Sequence, residues 1–151
     1  ISSSIYMMLM ENVHQVCSET IEAKYDLKGS TFGRETFIPD EVKESQNYNN
    51  LVLKDLNFIK RERSITLQSL DYQQLIQTLT RDIRFLQGAE IMDYSISLLK
   101  LDPSHCRRRE SITLSLHSAV NNVSDQPLFC DVGGDIQYSL GLIDLTQTFS
   151  W

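Results

Sequence analysis

Two aspartates stand where an apolar segment of the chain meets a polar one. Asp93 follows Ile91 and Met92, and Asp144 follows the apolar run 140–143. An ionised carboxylate is costly to bury unless it has a partner, and a metal ion or a cationic ligand is one such partner. Helix caps and turns also use aspartates at the ends of strands. The pattern alone therefore leaves a catalytic and a structural role open for both residues.

A second segment rich in reactive side chains runs from Tyr25 to Thr31 and reads YDLKGST. It places the cation of Lys28 next to a glycine and two hydroxyls, and Gly33 and Arg34 follow closely. Backbone amides and a lysine in such a loop can hold a phosphate. The spacing matches neither of the common glycine-rich phosphate loops, because three residues separate the two glycines. A turn with a solvated lysine is the alternative interpretation.

Composition limits which other functions the chain can have. Its 151 residues are 41% hydrophobic and 23% charged, which is typical of one globular domain. The 14 basic residues stand against 20 acidic ones, a balance of −6 that argues against nucleic-acid binding. The longest apolar run, Ile5 to Met10, is too short to span a bilayer. The three cysteines, Cys17, Cys106 and Cys130, are widely spaced, which indicates reduced thiols. No spacing of His and Cys residues suits a zinc site.

Several strands must position these groups. The runs Ile5–Val13, Ile21–Leu27 and Ile136–Ile143 are predicted as strands, although the methionines of the first would also suit a helix. A further strand is expected after Ser95, ending at Leu101, and a turn at Lys28–Thr31. The charged, amide-rich segment Pro39–Asn50 is predicted as a connection that contributes nothing to the core.

The clearest element is a helix over Tyr72–Gln87. Its apolar residues recur at helical spacing on one face. Asp71 is the expected N-cap, with Gln74 as its capping-box partner, and Gly88 is the expected stop. This face is predicted to pack against the interior of the domain, and Leu79→Ala should cost about 2 to 5 kcal/mol if Leu79 is a core residue. The residues of the stripe are Leu75, Ile76, Leu79, Ile83 and Leu86.

The segment 102–135 shows no periodic pattern and is predicted as a variable surface insertion. It contains a basic spot at Arg107, Arg108 and Arg109. A solvated loop is the plain interpretation of this spot, and contact with an anionic membrane or a phosphorylation signal for Ser111 are the alternatives.

Five short sequence blocks cover nearly the whole chain except 102–135. They are 10–13 (MENV), 24–31 (KYDLKGST) with Arg34, 53–58 (LKDLNF), 85–86 leading to 91–95 (IMDYS), and, more weakly, 140–144 (LGLID). Through these blocks, which occur in the family's order, the chain resembles the catalytic core of the phosphatidylinositol phosphate kinases. Two of the motifs, DLKGS and MDYS, are highly specific together.

The resemblance implies an α+β, protein-kinase-like bilobal fold, of which residues 1–151 form a partial catalytic domain with hinge and C-terminal-lobe core. It implies a lipid kinase that uses ATP and Mg²⁺ on a phosphatidylinositol monophosphate, most simply the 4-phosphate, at the cytosolic face of a membrane. It also implies a role for each matched residue. Asp93 is catalytic, Lys28 faces the transferring phosphate, Arg34 receives the substrate's phosphate, Asp144 binds the metal, and Met10, Glu11, Asn12 and Val13 contact the nucleotide.

Some features depart from the family pattern. The ending TFSW is closer to the branch that uses the 3-phosphate, whereas KGST is closer to the branch that uses the 4- or 5-phosphate, so the isomer stays open. A glycine-rich nucleotide loop and a strand lysine are not found. The isolated chain is therefore expected to be inactive as the middle of a larger domain. A non-catalytic phosphoinositide-binding or interaction module is the competing hypothesis.

Overall fold

One mixed sheet organises the computed structural model, which describes residues 12–14, 20–102 and 129–146. The strands lie in the order β2-β1-β3-β5-β4; β1 and β2 run parallel, and the other neighbouring pairs are antiparallel. The presence of both helices and strands agrees with the predicted α+β class, and the bilobal arrangement stays a prediction. The elements are β1 (Ile21–Leu27), α1 (Asp40–Ser45), β2 (Val52–Leu53), α2 (Asp55–Arg61), α3 (Ser69–Gly88), β3 (Ser95–Leu101), β4 (Phe129–Cys130) and β5 (Gln137–Ile143).

The three long strands form where alternation and apolar runs predicted them. In β1, Ala23 and Tyr25 are buried on one face and Lys24 between them is half-buried, as the period of two in a strand requires; Ile21 is buried as well. A bulge between Ile21 and Ala23 moves Ile21 to the opposite face, where it packs with Leu99 and Leu101. The main core lies on the face of Tyr25 and comprises Ala23, Tyr25, Tyr48, Leu53, Leu98, Phe129 and Tyr138.

Helix α2 is held against this core by aromatic and polar contacts. The rings of Tyr25 and Phe58 meet edge to face, with centroids 5.3 Å apart. The Tyr25 hydroxyl donates to Glu62 Oε1 at 2.7 Å, and burial together with this bond raises the pKa of Tyr25. Lys100 on β3 contacts Glu62 Oε2 at 3.2 Å. These contacts join α2 and its C-cap residue Glu62 to strands β1 and β3.

Helix α3 is longer than predicted and begins differently. It starts at Ser69, so Gln68 occupies the N-cap position and the prediction of Asp71 as N-cap is wrong. Asp71 instead lies in the first turn and accepts a hydrogen bond from the backbone N–H of Cys130 at 2.7 Å. A tertiary donor has thus replaced the local capping contact, because β4 approaches this end of the helix.

The apolar stripe of α3 is only partly covered by the described residues. Leu86 is 4% exposed and Leu75 packs against the main core, whereas Ile76 is 45% exposed and Leu79 is half-buried. Leu79 is therefore not a core residue of the described structure. The helix still leads to the predicted site: it ends at Gly88, and the Ile91 N–H donates to the Leu86 carbonyl at 3.0 Å, which turns the chain toward Asp93.

Two predicted connections contain ordered core residues. Pro39–Asn50 includes helix α1, and Tyr48 within it is buried with the guanidinium carbon of Arg61 3.6 Å from its ring centroid. The end of the predicted insertion 102–135 forms strand β4, whose Phe129 and Cys130 are buried. These buried residues were missed because they fall in segments too short or too polar to show a periodic pattern.

Part of the sequence-based prediction falls outside the described residues. The proposed strand Ile5–Val13 lies there up to residue 11, as do the basic spot 107–109 and the TFSW ending. Among the described helices, none is both long and apolar enough to cross a bilayer.

Candidate active site

Strand pairing brings three predicted site residues to one end of the sheet. Leu27 at the end of β1 pairs with Ile96 near the start of β3. Ser95 at the start of β3 pairs with Ile143 at the end of β5. Because these strands are antiparallel, the residues just beyond those termini share one sheet edge. They are Lys28, Asp93 and Asp144.

Two hydrogen bonds connect the segments that carry these three residues. The ammonium of Lys28 donates to the backbone carbonyl of Asp93, with Nζ and O 2.8 Å apart. The Ser95 hydroxyl donates to Oδ2 of Asp144 at 3.2 Å. All three charged side chains are exposed. The carboxylate of Asp93 and one oxygen of Asp144 thus stay accessible to a ligand arriving from outside.

Both aspartates have left-handed backbone conformations, with φ of 60° at Asp93 and 63° at Asp144. Non-glycine residues adopt this region uncommonly, although aspartate tolerates it better than most. Such conformations cluster at functional sites, where the surrounding structure enforces them. Here the two occur at neighbouring strand termini on the same edge, which favours a functional interpretation over two independent turns.

Asp55 holds the turn Lys28–Thr31, called here the Lys28 loop, by hydrogen bonds. Asp55 was assigned no role from the sequence alone. Its Oδ1 accepts from the backbone N–H groups of Gly29 at 2.8 Å and Lys28 at 3.1 Å, and its Oδ2 accepts from Arg34 Nε at 2.8 Å. Burial alone would raise the pKa of Asp55, but these hydrogen bonds outweigh it and lower the pKa. Only its membership of the LKDLNF block pointed to it, since 26 residues separate it from Gly29.

Arg34 lies deeper than a simple surface cation would. Its side chain is 13% exposed; Nε reaches Asp55, and Nη2 donates to the Asp26 carbonyl at 2.6 Å and lies 3.2 Å from Asp26 Oδ1. The contact with Asp26 Oδ1 is an ion pair without hydrogen-bond geometry. Burial lowers the pKa of Arg34, but its hydrogen bonds to the two aspartates raise it overall. Asp55 and Asp26 thus bind Nε and Nη2 of the Arg34 guanidinium.

The predicted nucleotide segment is described only in part, since Met10 and Glu11 lie outside the described residues. Asn12 and His14 line a cavity of about 380 Å³, together with Lys24, Ser97 and Ile143. Ligand cavities have volumes of about 300 to 1,000 Å³, so this one can accept part of a nucleotide. It lies on the sheet face opposite the main core, and Ile143 directly precedes Asp144.

A magnesium ion fits the donor set at this edge. Mg²⁺ keeps several waters and commonly takes one or two carboxylates plus phosphate oxygens. Asp144 offers an exposed carboxylate, of which Ser95 occupies only Oδ2. Within residues 12–14, 20–102 and 129–146, no three His, Cys, Asp or Glu side chains form a ready-made metal cage. Asp144 would thus hold the ion jointly with the phosphates of a bound nucleotide.

Comparison with known proteins identifies the family. The family model described as phosphatidylinositol-4-phosphate 5-kinase matches residues 1–127, which is most of the chain. The chain belongs to this kinase family. The match includes Lys28, Arg34 and Asp93 and ends before Asp144. The resemblance drawn from the sequence blocks is thereby confirmed, whereas the role of each residue stays a prediction.

Curated relatives of this family carry two different names. Phosphatidylinositol 4-phosphate 5-kinase 4 of Arabidopsis thaliana is 40% identical over 99 residues, 64% of this chain and 11% of the relative. Phosphatidylinositol 5-phosphate 4-kinase type-2 gamma of Homo sapiens is 34% identical over 95 residues, 62% of this chain and 21% of the relative. Its Danio rerio counterpart is 31% identical over 111 residues, 72% and 25% respectively. The chain thus spans a quarter or less of the length of these relatives.

Proposed function

We propose that this chain is part of a lipid kinase that transfers the γ-phosphate of ATP to an inositol-ring hydroxyl of a phosphatidylinositol monophosphate, forming a bisphosphate. The observation that carries the proposal is the convergence of Lys28, Asp93 and Asp144 on one sheet edge in a chain of this family. The proposed acceptor is phosphatidylinositol 4-phosphate. The relatives named 4-phosphate 5-kinases support this choice with 40% to 43% identity, against 31% to 34% for the 4-kinases.

Phosphoryl transfer asks the protein mainly to position the nucleophile and to neutralise charge on the transferring oxygens. The Asp93 carboxylate orients the acceptor hydroxyl and takes its proton as the ring oxygen bonds to phosphorus and the bond to the β-phosphate oxygen breaks. The exposed ammonium of Lys28 offsets charge on the transferring group. Its contact with the Asp93 carbonyl keeps the cation and the base on adjacent segments.

The remaining groups bind the two substrates. The Arg34 guanidinium binds the phosphate already on the acceptor, and Asp26 and Asp55 hold this guanidinium in place. The backbone of residues 10–13 contacts the adenine. Asp144 would hold Mg²⁺, which would supply positive charge to the phosphates of the nucleotide. The acceptor is a membrane lipid, so the protein works at the cytosolic face of a membrane as a peripheral protein.

Lipid phosphorylation by the full-length natural protein tests the proposal. We expect ATP-dependent phosphorylation of phosphatidylinositol 4-phosphate in vesicles, and slower reaction with the 5-phosphate. The choice of acceptor has to be read from which monophosphate reacts, since 5-phosphorylation of the one and 4-phosphorylation of the other give the same bisphosphate. Asp93→Asn should lower kcat by a factor of about 10² to 10⁴, and Asp144→Asn should raise the Mg²⁺ concentration needed for activity.

Asp82→Asn is the matched control, because Asp82 lies on α3 and, within the described part of the chain, its ion pair is with its neighbour Arg81, 3.0 Å away. It should leave activity unchanged. Activity that survives both Asp93→Asn and Asp144→Asn would refute the assignment. Folded full-length protein that binds phosphoinositide vesicles but gives no heat with ATP and Mg²⁺ would instead identify a non-catalytic binding module.

A further inference from the structure

His14 joins the predicted nucleotide segment to two strands of the sheet. Its Nδ1 lies 2.8 Å from Ser139 Oγ on β5, and its Nε2 lies 2.7 Å from Ser97 Oγ on β3. Because Leu99 pairs with Ser139 and Ser97 pairs with Gly141, the two serines are diagonal neighbours on one sheet face. A neutral imidazole has one donor and one acceptor nitrogen, and a hydroxyl can serve either. Both ring nitrogens are therefore satisfied.

Two further contacts hold the same segment. The backbone N–H of His14 donates to the side-chain oxygen of Asn12 at 3.0 Å, which closes a local turn. Val13 packs against Gly141 so closely that a Cβ at position 141 would lie 2.8 Å from the Val13 Cβ. The glycine in β5 thus permits a close approach that any other residue would block. Residues 12–14 are docked on the sheet by side-chain and backbone contacts together.

The hydrogen bond to His14 also gives the buried hydroxyl of Ser139 a partner. Ser139 is 1% exposed, and a buried hydroxyl without a partner costs stability. An apolar residue at position 14 would remove this partner. Burial lowers the pKa of His14, in keeping with a neutral ring between two hydroxyls.

His14 lies close both to the cavity beside Asn12 and to the strands next to Asp144. It lines the 380 Å³ cavity beside Asn12. Ser97 lies two residues after Ser95, whose hydroxyl contacts Asp144, and Ser139 lies on β5, which ends at Ile143 directly before Asp144. Any shift of residues 12–14 relative to these strands would move the nucleotide relative to Asp93 and Asp144.

We propose that His14 is a positioning residue, which sets the Asn12–Val13 backbone at the correct place for the nucleotide through its bonds to Ser97 and Ser139. The proposal rests on the proposed kinase function. His14 itself takes no part in phosphoryl transfer. Its loss should therefore weaken nucleotide binding much more than it slows the chemical step.

Steady-state kinetics of the full-length protein separate the two effects. His14→Phe keeps a ring but removes both bonds, and should raise KM for ATP about tenfold, the factor that corresponds to about 1.4 kcal/mol. We expect kcat at saturating ATP to stay within about twofold and KM for the lipid to stay unchanged. His14→Gln can keep one hydrogen bond, so its KM for ATP should lie closer to that of the wild type. The KM for ATP of Ser97→Ala and of Ser139→Ala should each lie between the values for the wild type and His14→Phe. Equal KM for ATP in all variants, or a loss confined to kcat, would refute the proposal.

Two measurements do not require lipid kinase activity. Binding of a fluorescent ATP analogue should weaken by the same factor as KM rises, and amide exchange at Asn12 and Val13 should accelerate in His14→Phe. If wild-type protein fails to phosphorylate lipid while both responses appear, the proposed function alone is wrong. If lipid phosphorylation is normal and both responses are missing, the role of His14 alone is wrong. Should His14→Phe not fold, the two serine variants carry the same comparison.

Discussion

Replacement of Asp55 by asparagine should destabilise the protein more than any surface charge change. The asparagine side chain has the same size, but it offers one acceptor oxygen where the carboxylate has two. Asp55 now accepts from Gly29 N, Lys28 N and Arg34 Nε. In the variant, an NH₂ group must face at least one of these donors, and Arg34 loses one of its two anionic partners.

The magnitude follows from the burial and number of these contacts. The Asp55 side chain is 8% exposed, so water can replace little of what is lost. A hydrogen bond to a charged group contributes about 1.5 to 3 kcal/mol, and breaking a buried ion pair costs about 3 to 5 kcal/mol. Because Arg34 keeps Asp26, we expect Asp55→Asn to lower the free energy of unfolding by about 2 to 4 kcal/mol.

Urea unfolding at pH 7, followed by circular dichroism, measures this change. Asp40→Asn is the matched control, since Asp40 is likewise the first residue of a helix but is exposed, and among the residues that the structure describes its ion pair is with Lys43, 2.8 Å away. The control should show no measurable change. The lowered pKa of Asp55 also predicts that wild-type stability falls as the pH drops through the folded pKa, below the usual 3.8, and that the variant lacks this part of the slope.

A loss below about 1 kcal/mol in Asp55→Asn would refute the reasoning, because it would mean that the loop and Arg34 find other partners at little cost. A loss as small in Asp55→Asn as in Asp40→Asn would have the same meaning. An altered slope of free energy against urea would instead indicate a changed denatured or native state, and the midpoints alone would then be insufficient.

Three further predictions concern Gly141, the protonation of His14 and the apolar face of α3. Gly141→Ala should cost about 1 to 3 kcal/mol by urea unfolding, since its Cβ would meet Val13 at 2.8 Å, and a neutral result would contradict the docking of residues 12–14. Burial lowers the pKa of His14 below its usual 6.5, so just below that pH the unfolded chain binds more protons than the folded chain. The free energy of unfolding should therefore fall as the pH drops from 6.5 toward the folded pKa, and it should fall less steeply in His14→Gln. Leu86→Ala should cost about 2 to 5 kcal/mol, and Leu79→Ala clearly less because Leu79 is half-buried; the reverse order would contradict the packing of α3.

Local periodicity sufficed to predict most of the regular structure. Strand β1 matched the predicted range Ile21–Leu27, β5 began one residue late, and α3 extended the predicted helix by three residues at its start and one at its end. Alternation and helical spacing are properties of neighbouring residues, so the chain displays them before it folds. The N-cap prediction at Asp71 was wrong because a partner from a distant strand, Cys130, decided the hydrogen bond.

The sequence by itself determined the family, the strands that end just before Lys28 and Asp144, and the two specific blocks around Lys28 and Asp93, because each is a pattern of adjacent residues. Only the tertiary structure decided what these residues contact. Strand pairing brought Lys28, Asp93 and Asp144 to one edge, and packing gave Arg34 and the Lys28 loop their common anchor in Asp55. The bridge from His14 to Ser97 and Ser139 spans more than eighty residues of sequence. Such contacts depend on register and burial, which no local pattern encodes.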